Sequence, residues 1–246
     1  MMVRVFLVLA VVLLCAGCSK SDENEPLTDY PEMPDPDDVC SAMDDLDFMK
    51  YCYEKFDVNK DGKVSTHEAN AVKEIYIYGV KSLKGIQYFP NLERLWCTTS
   101  ILDVSKNREL KQLQLCKYNF DTQTYIGGGL TTLDISQNDK LESLHCSNNR
   151  LEHLNISSKS VSRVVCDGNK LKELDTSKAV NLSSLVCSNN DLSSLDISEN
   201  MCLWELECLN NPNLTTLWIN PEWSDYWANS DLCDIDRKVT TVKVKK

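Results

Sequence analysis

Between Asp57 and Glu68 the chain reads DVNKDGKVSTHE, a stretch dense in side-chain oxygen. Asp57, Asn59 and Asp61 stand at its first, third and fifth places, Ser65 at the ninth and Glu68 at the twelfth. Lys63, at the seventh, offers its backbone carbonyl. Calcium takes six to eight hard oxygen ligands, and this spacing wraps them around a single ion, the last Glu giving two oxygens. Gly62 permits the sharp turn, and Val64 supplies the inward apolar residue. The expected cofactor is Ca2+, held by Asp57, Asn59, Asp61, Lys63, Ser65 and Glu68. Three carboxylates suit an extracellular module, where dissociation constants of about 10⁻⁴–10⁻³ M suffice.

The second reactive position is a thiol, Cys18. Residues 1–17 carry Arg4, the apolar run VFLVLAVVLL and then small residues. That order reads as a secretory signal, too short to span a bilayer as a mature helix. CAGC, ending at Cys18, resembles a bacterial lipobox, although Cys15 stands where Leu is usual. The resemblance implies cleavage before Cys18 and acylation of its thiol and new amino terminus; several acyl chains anchor stably where one is marginal. Residues 18–39 would then be the acylated Cys and an acidic, Pro-rich stalk, too poor in apolar residues to fold. Its SDENE run resembles the export signal of surface lipoproteins in Bacteroides-type bacteria, or is plain linker charge.

Nothing else in the chain assembles a catalytic site. Of three His, His67 lies in the calcium loop, His145 on a strand and His153 on a returning segment. There is no Cys-x-x-Cys pair for zinc. The three Gly at 127–129 are not followed by Lys-Ser or Lys-Thr, and no Gly-x-Ser-x-Gly elbow occurs. An enzyme is not expected.

Apolar periodicity sets the elements that must position these groups. Ala42, Leu46, Met49, Tyr53 and Phe56 fall at helical spacing. After Glu68 a short exit helix runs into the strand-like IYIY, so residues 40–74 form a single helical EF-hand cap, the calcium loop matching that motif at each informative place. Residues 75–222 then repeat. LESLHCSNNRLEHLNIS, VSRVVCDGNKLKELDTS, LSSLVCSNNDLSSLDIS and LWELECLNN open at Leu141, Val161, Leu182 and Leu203, about twenty residues apart. Alternation along a short strand turns Leu144 and Cys146 inward, with Ser143 and His145 outward. Asn149, Asn169, Asn190 and Asn211 end the strands, where a buried amide can satisfy the turn's backbone. One copy cannot bury its own apolar surface, so the copies must stack. The expected fold is an α/β repeat solenoid, a leucine-rich repeat horseshoe of short parallel strands. An insertion of about ten residues interrupts the copy near residues 116–130. Residues 223–246 should close the far end.

Twelve Cys would suggest disulfides. Six of them, Cys97, Cys116, Cys146, Cys166, Cys187 and Cys208, recur at the inward strand position. Strands about 4.8 Å apart hold parallel side chains too far apart for a bridge, which wants Cβ atoms about 3.5–4.5 Å apart and facing. The ladder therefore reads as free, buried thiols acting as small hydrophobes. Cys40, Cys52, Cys202 and Cys233 lie outside it, and export makes a Cys202–Cys233 bridge conceivable.

A net charge of −11 argues against nucleic acid as a partner. The outward strand residues line the concave face, giving a tentative ligand site at Tyr76, Arg94, Trp96, Gln114, His145 and Arg163. Aromatics gather at its N-terminal end, where the insertion adds Tyr118, Phe120 and Tyr125; such groups suit a partner, unless Tyr76 and Trp96 pack beneath the cap or the insertion. LESLHCSNN, LSSLVCSNNDLSSLDIS and KSLKGIQYFPNLERLWC together resemble cysteine-containing leucine-rich repeat lipoproteins of Bacteroides-type bacteria, some with an EF-hand before the repeats. That resemblance implies binding of an extracellular protein or glycan at the cell surface; the chain is expected to be a monomer on the outer membrane, anchored only through Cys18. A structural or assembly role in the envelope remains the alternative.

Overall fold

The computed structural model describes residues 35–223, 233–238 and 240–245. The leader, Cys18, the stalk before Asp35 and the Cys233 side chain lie outside the described residues, and with them the lipidation and the Cys202–Cys233 pairing. Among the described residues, no helix is long and apolar enough to cross a membrane.

The strands are β1 (Glu74–Tyr78), β2 (Arg94–Thr98), β3 (Gln112–Gln114), β4 (Cys116–Asn119), β5 (Thr124–Gly127), β6 (Ser143–His145), β7 (Arg163–Val165), β8 (Ser184–Val186), β9 (Ser194–Asp196), β10 (Glu205–Glu207), β11 (Thr216–Ile219), β12 (Cys233–Asp234) and β13 (Thr241–Val244). Eight of them make one parallel sheet, ordered β1-β2-β3-β6-β7-β8-β10-β12. The returning halves form a second, three-stranded sheet, β13-β11-β9. Register fixes the interior. Ile75, Leu95, Leu113, Leu144, Val164, Leu185 and Leu206 sit opposite one another from strand to strand and are buried. Leu151, Leu154, Leu171, Leu174, Leu192 and Leu195 close the core from the returning side. This is a leucine-rich repeat solenoid, as the repeats require.

The amide ladder forms as its chemistry suggests. Asn169 Nδ2 donates to the carbonyls of Cys146 and Cys166, both at 3.0 Å, while its Oδ1 accepts from Leu151 N at 3.0 Å. Asn149, Asn190 and Asn211 repeat the arrangement one turn away each time. Each amide thus ties two neighbouring coils together at a place no strand bond reaches. The returning side carries a second ladder that the strand pattern does not announce. Asn138 Nδ2 donates to the carbonyls of Val104 and Asn107, and Asn200 Nδ2 to those of Thr176 and Ala179. Its signal is the recurrence of Asn after DVSK, DISQ and DISE.

One inward position differs from the reading above. Gln114 pairs with both Trp96 and His145, so Leu115, not Cys116, falls in line with Cys97 and Cys146. Cys116 instead opens β4, the first arm of an antiparallel hairpin with β5. Both side chains are buried, which is why alternation alone could not choose between them. The other five ladder thiols are buried and free. Burial pushes the Cys97, Cys146 and Cys166 thiols up, which keeps them protonated and unreactive.

The N-terminal cap is also rearranged. Residues 41–56 are not one helix: a 3₁₀ turn, Val39–Ala42, precedes α1, Leu46–Phe56. Asp45 restarts the helix, its carboxylate accepting from Asp47 N and Phe48 N at 3.0 Å. The inward face is then Phe48 and Cys52, and Leu46 is exposed. The stalk also ends earlier than residue 39. Asp38 and Val39 are buried, because Asp38 accepts from Cys40 N, Val64 N and the Tyr53 hydroxyl at 3.1, 3.0 and 2.6 Å. Val39 N donates to the Val64 carbonyl at 2.9 Å, pairing the loop with the segment that precedes α1.

At the far end β12 and β13 each add a strand to one of the two sheets, which extends the coil past residue 222. Lys243 and Lys245 sit exposed along the terminal strand and its end, where charge discourages edge-to-edge pairing.

Candidate functional site

Two places collect chemistry: the loop of the cap and one end of the concave face. In the loop, Lys60 and Gly62 take positive φ angles of 61° and 85°, which turns the chain back on itself. Asp57 accepts from Asp61 N and Gly62 N at 3.2 and 3.0 Å, Asn59 Oδ1 from Asp61 N at 3.0 Å, and Asp61 from Lys63 N at 2.9 Å. Glu68 reaches back across the loop, accepting from Val58 N at 2.8 Å and from Ser65 N and Oγ at 2.9 and 2.8 Å. Ser65 in turn caps α2, Thr66–Ala71, completing a capping box. Lys63 turns its ammonium away, to Asp35 at 3.0 Å.

Among the described residues no three His, Cys, Asp or Glu side chains are gathered closely enough to hold a metal by themselves. The donor set that fits calcium is broader: three carboxylates, an amide, a hydroxyl and the Lys63 carbonyl, all oxygen. The residues therefore suit the ion by donor type and sequence order, and the loop is already turned. Glu68 also carries a pH signature. Hydrogen bonds from Ser65, first its N–H and then its hydroxyl, hold this carboxyl at about 2, against an ordinary value of 4.5. A depressed carboxyl stabilises the fold above its unfolded value, and that contribution is lost as pH falls from 4.5 through about 2. Acid titration of α2 by NMR should show this loss, and Glu68→Gln should remove it.

The cap is locked onto the first coil. The Tyr51 hydroxyl accepts from Tyr76 N at 3.2 Å, occupying an N–H on the edge strand. Asp45 also accepts from Lys81 N at 2.8 Å, and Phe48 and Phe56 lie against Phe89 with ring centroids 6.5 and 5.5 Å apart.

On the concave face the register carries one row, Tyr76, Trp96, Gln114, His145, Val165, Val186 and Glu207, across seven strands. The hairpin of β4 and β5 stands over this row. Gly127 and Gly128 let it approach, because a Cβ on Gly128 would lie 2.2 Å from the Thr99 backbone. Tyr125, on the second arm, meets the edge of His145 with centroids 4.3 Å apart, and Tyr118 and Phe120 complete an aromatic cluster. Beneath lies a cleft of about 330 Å³ lined by Trp96, Gln114, Tyr125, His145, Arg163 and Val165, with Gln112 and Ser143 beside them. His145 Nε2 is buried there without a hydrogen-bond partner in the protein. Burial lowers the His145 pKa, which favours the neutral ring.

Of the six residues expected on this face, four line the cleft. Tyr76 stands next to it, its ring 5.0 Å from Trp96 and partly exposed. Arg94 is turned to Glu74 as an ion pair and does not enter. A larger hollow of about 470 Å³ on the returning side holds no Trp, Tyr or Phe. Its Lys245 is paired with Asp196 at 2.8 Å and its His153 faces Glu173 at 3.5 Å. The concave cleft is the better candidate because Trp96, Tyr125 and Arg163 line it, whereas the charged side chains of the other hollow are already paired.

Repeat period, parallel coils and strand-end amides place the chain among leucine-rich repeat folds. No protein-family model and no curated protein matches it. Among solved structures it is similar to the functional domain of InlJ from Listeria monocytogenes, described as including a cysteine ladder, at 19% identity and TM-score 0.39. That match covers 75% of this chain and 52% of the other, so the chain spans about half of it. It is also similar to internalin C2 of the same species, at 15% identity and TM-score 0.43, covering 87% of this chain and 100% of that one. The APL1 leucine-rich repeat domain matches at 18% identity and TM-score 0.38, over 67% and 55% of the two chains.

Proposed function

We propose that this chain is a calcium-stabilised leucine-rich repeat lipoprotein, anchored at the cell surface through Cys18, that recognises a protein or glycan at the hairpin end of its concave face. The observation that carries recognition is the cleft beneath Tyr125, lined by Trp96, Gln114, His145 and Arg163 on the concave face. Trp, Tyr and Arg side chains gathered in one pocket are what binding hot spots are made of. Calcium has a structural role in this reading, since its loop supports the cap and no ligand of it lines the cleft. In this reading the chain acts by binding.

The test is a protein and glycan array probed with the purified chain, with and without calcium. A specific ligand that is lost in Tyr125→Ala and Trp96→Ala supports recognition at this cleft. Binding that survives both substitutions contradicts it. If no ligand appears and the chain co-purifies with other envelope proteins, the structural role in the envelope takes its place.

The hairpin has its own prediction. Gly128→Ala should lift it off Thr99, because the new methyl meets backbone that cannot move aside. Limited proteolysis should then cut at residues 119–124 faster than in the parent, while the buried coil stays protected. Equal cutting rates would show that the close approach is not required.

A further inference from the structure

We propose that the partner is a polypeptide segment which seats one aromatic or large aliphatic side chain under the hairpin and lays a Lys or Arg on the acidic end of the same face. This rests on recognition at the cleft and names its ligand. The cleft volume of about 330 Å³ lies at the small end of the range for ligand sites, enough for one anchor group but not for an extended ligand. Around it the hairpin exposes Phe120 and Tyr125 to water. An aromatic ring alone could serve a sugar, but the row continues from the cleft through Val165 to the half-buried Val186, aliphatic surface that gains more from an apolar side chain.

The sign of the second contact comes from the other end of the row. From β6 the outward residues run through Val165 and Val186 to Glu207, and β12 brings Asp234 beside it. Glu205 is engaged by Ser184 and by Arg163, the latter at 3.6 Å. Among the described residues no ion pair reaches Glu207 or Asp234. Burial, then repulsion from Glu205, Asp234 and Asp167, raises the Glu207 carboxyl above its usual range, with only Arg163 opposing. A cation laid there relieves that repulsion, whereas an anionic partner would add to it.

Geometry also sets the separation. Three strand spacings lie between β6 and β10, and four between β6 and β12. At about 4.8 Å each, that is roughly 14–19 Å, or about four to six residues of extended chain. The valines between the two contacts offer no charge to bind, so the intervening partner residues are expected to be small or apolar.

The experiment is a phage display of random twelve-residue peptides on the full chain, purified in detergent and immobilised in calcium. Trp96→Ala and Tyr125→Ala serve as counter-selections. Enriched peptides should carry an aromatic or large aliphatic residue with Lys or Arg about four to six positions away. A synthetic peptide of that pattern should bind about tenfold more weakly to Glu207→Gln/Asp234→Asn, and its Arg→Ala analogue should not distinguish the two proteins. Peptides that are enriched but show no basic preference overturn this inference and leave recognition at the cleft standing. A glycan that binds while no peptide does also overturns it. If neither binds in a manner that depends on Trp96 or Tyr125, the cleft itself falls as the site.

Discussion

Asn190→Ala should lower the unfolding free energy by about 3–5 kcal/mol, one of the largest single-residue effects in the chain. Its amide donates to the carbonyls of Cys166, Cys187 and Ser188, all at 3.1 Å, and accepts from Leu171 N at 3.0 Å. Truncation leaves these backbone groups buried, and each unmet group costs about 1–3 kcal/mol, with relaxation recovering part. Asn190 spans two coils, so its loss should loosen both neighbours. Lys178→Ala, at an exposed turn position, serves as the surface control and should stay within about 0.5 kcal/mol of the parent. Urea unfolding followed by circular dichroism measures both. A shift for Asn190→Ala no larger than the control would mean that the strand-end amides are ornaments of the repeat and do not hold it.

Calcium should raise the melting temperature of the parent but not of Asp57→Ala or Glu68→Gln. At about 10 mM calcium, roughly ten to a hundred times the dissociation constant expected for three carboxylates, mass action adds about 1.4–2.7 kcal/mol. For a chain of this size that is roughly 3–10 °C. Glu68→Gln is the more informative variant. Gln keeps the acceptor that completes the capping box on α2 but loses the bidentate carboxylate. A loss seen only in calcium therefore reports the ion and not the helix cap. The effect should spread into the coil through Tyr51, Asp45 and the Phe48–Phe89 contact, which join the cap to the first repeat. Equal melting of parent and variants at millimolar calcium would show that the ion does not support the cap.

The repeats are legible in the sequence because their signals are local and recurrent. An aliphatic residue or Cys at each inward place and an Asn at the strand end of each regular copy leave little choice of register, and the outward rows follow from it residue by residue. Where two adjacent residues are both apolar, at Leu115 and Cys116, alternation has no vote; pairing of Gln114 with Trp96 and His145 decides. The cap is legible only as a loop. Its lock onto the coil depends on Asp45 and Tyr51 meeting groups up to 37 residues away, and no spacing rule carries such contacts. The same holds for the cleft. Trp96, Gln114, His145 and Arg163 can be placed on one face by counting, but that Tyr125 folds back onto His145 depends on Gly127 and Gly128 permitting a close approach.

A stacked coil of this kind requires a single dry interior, closed to water until the coil itself opens. Thiol labelling tests this most directly, because Cys202 is exposed while Cys97, Cys146, Cys166, Cys187 and Cys208 are buried along the interior. With a maleimide under native conditions, read out by peptide mass spectrometry, Cys202 should be modified at once. The five interior thiols should stay unmodified, then become reactive together across the urea transition. Prompt labelling of Cys146, Cys166 or Cys187 in the native protein would contradict the account.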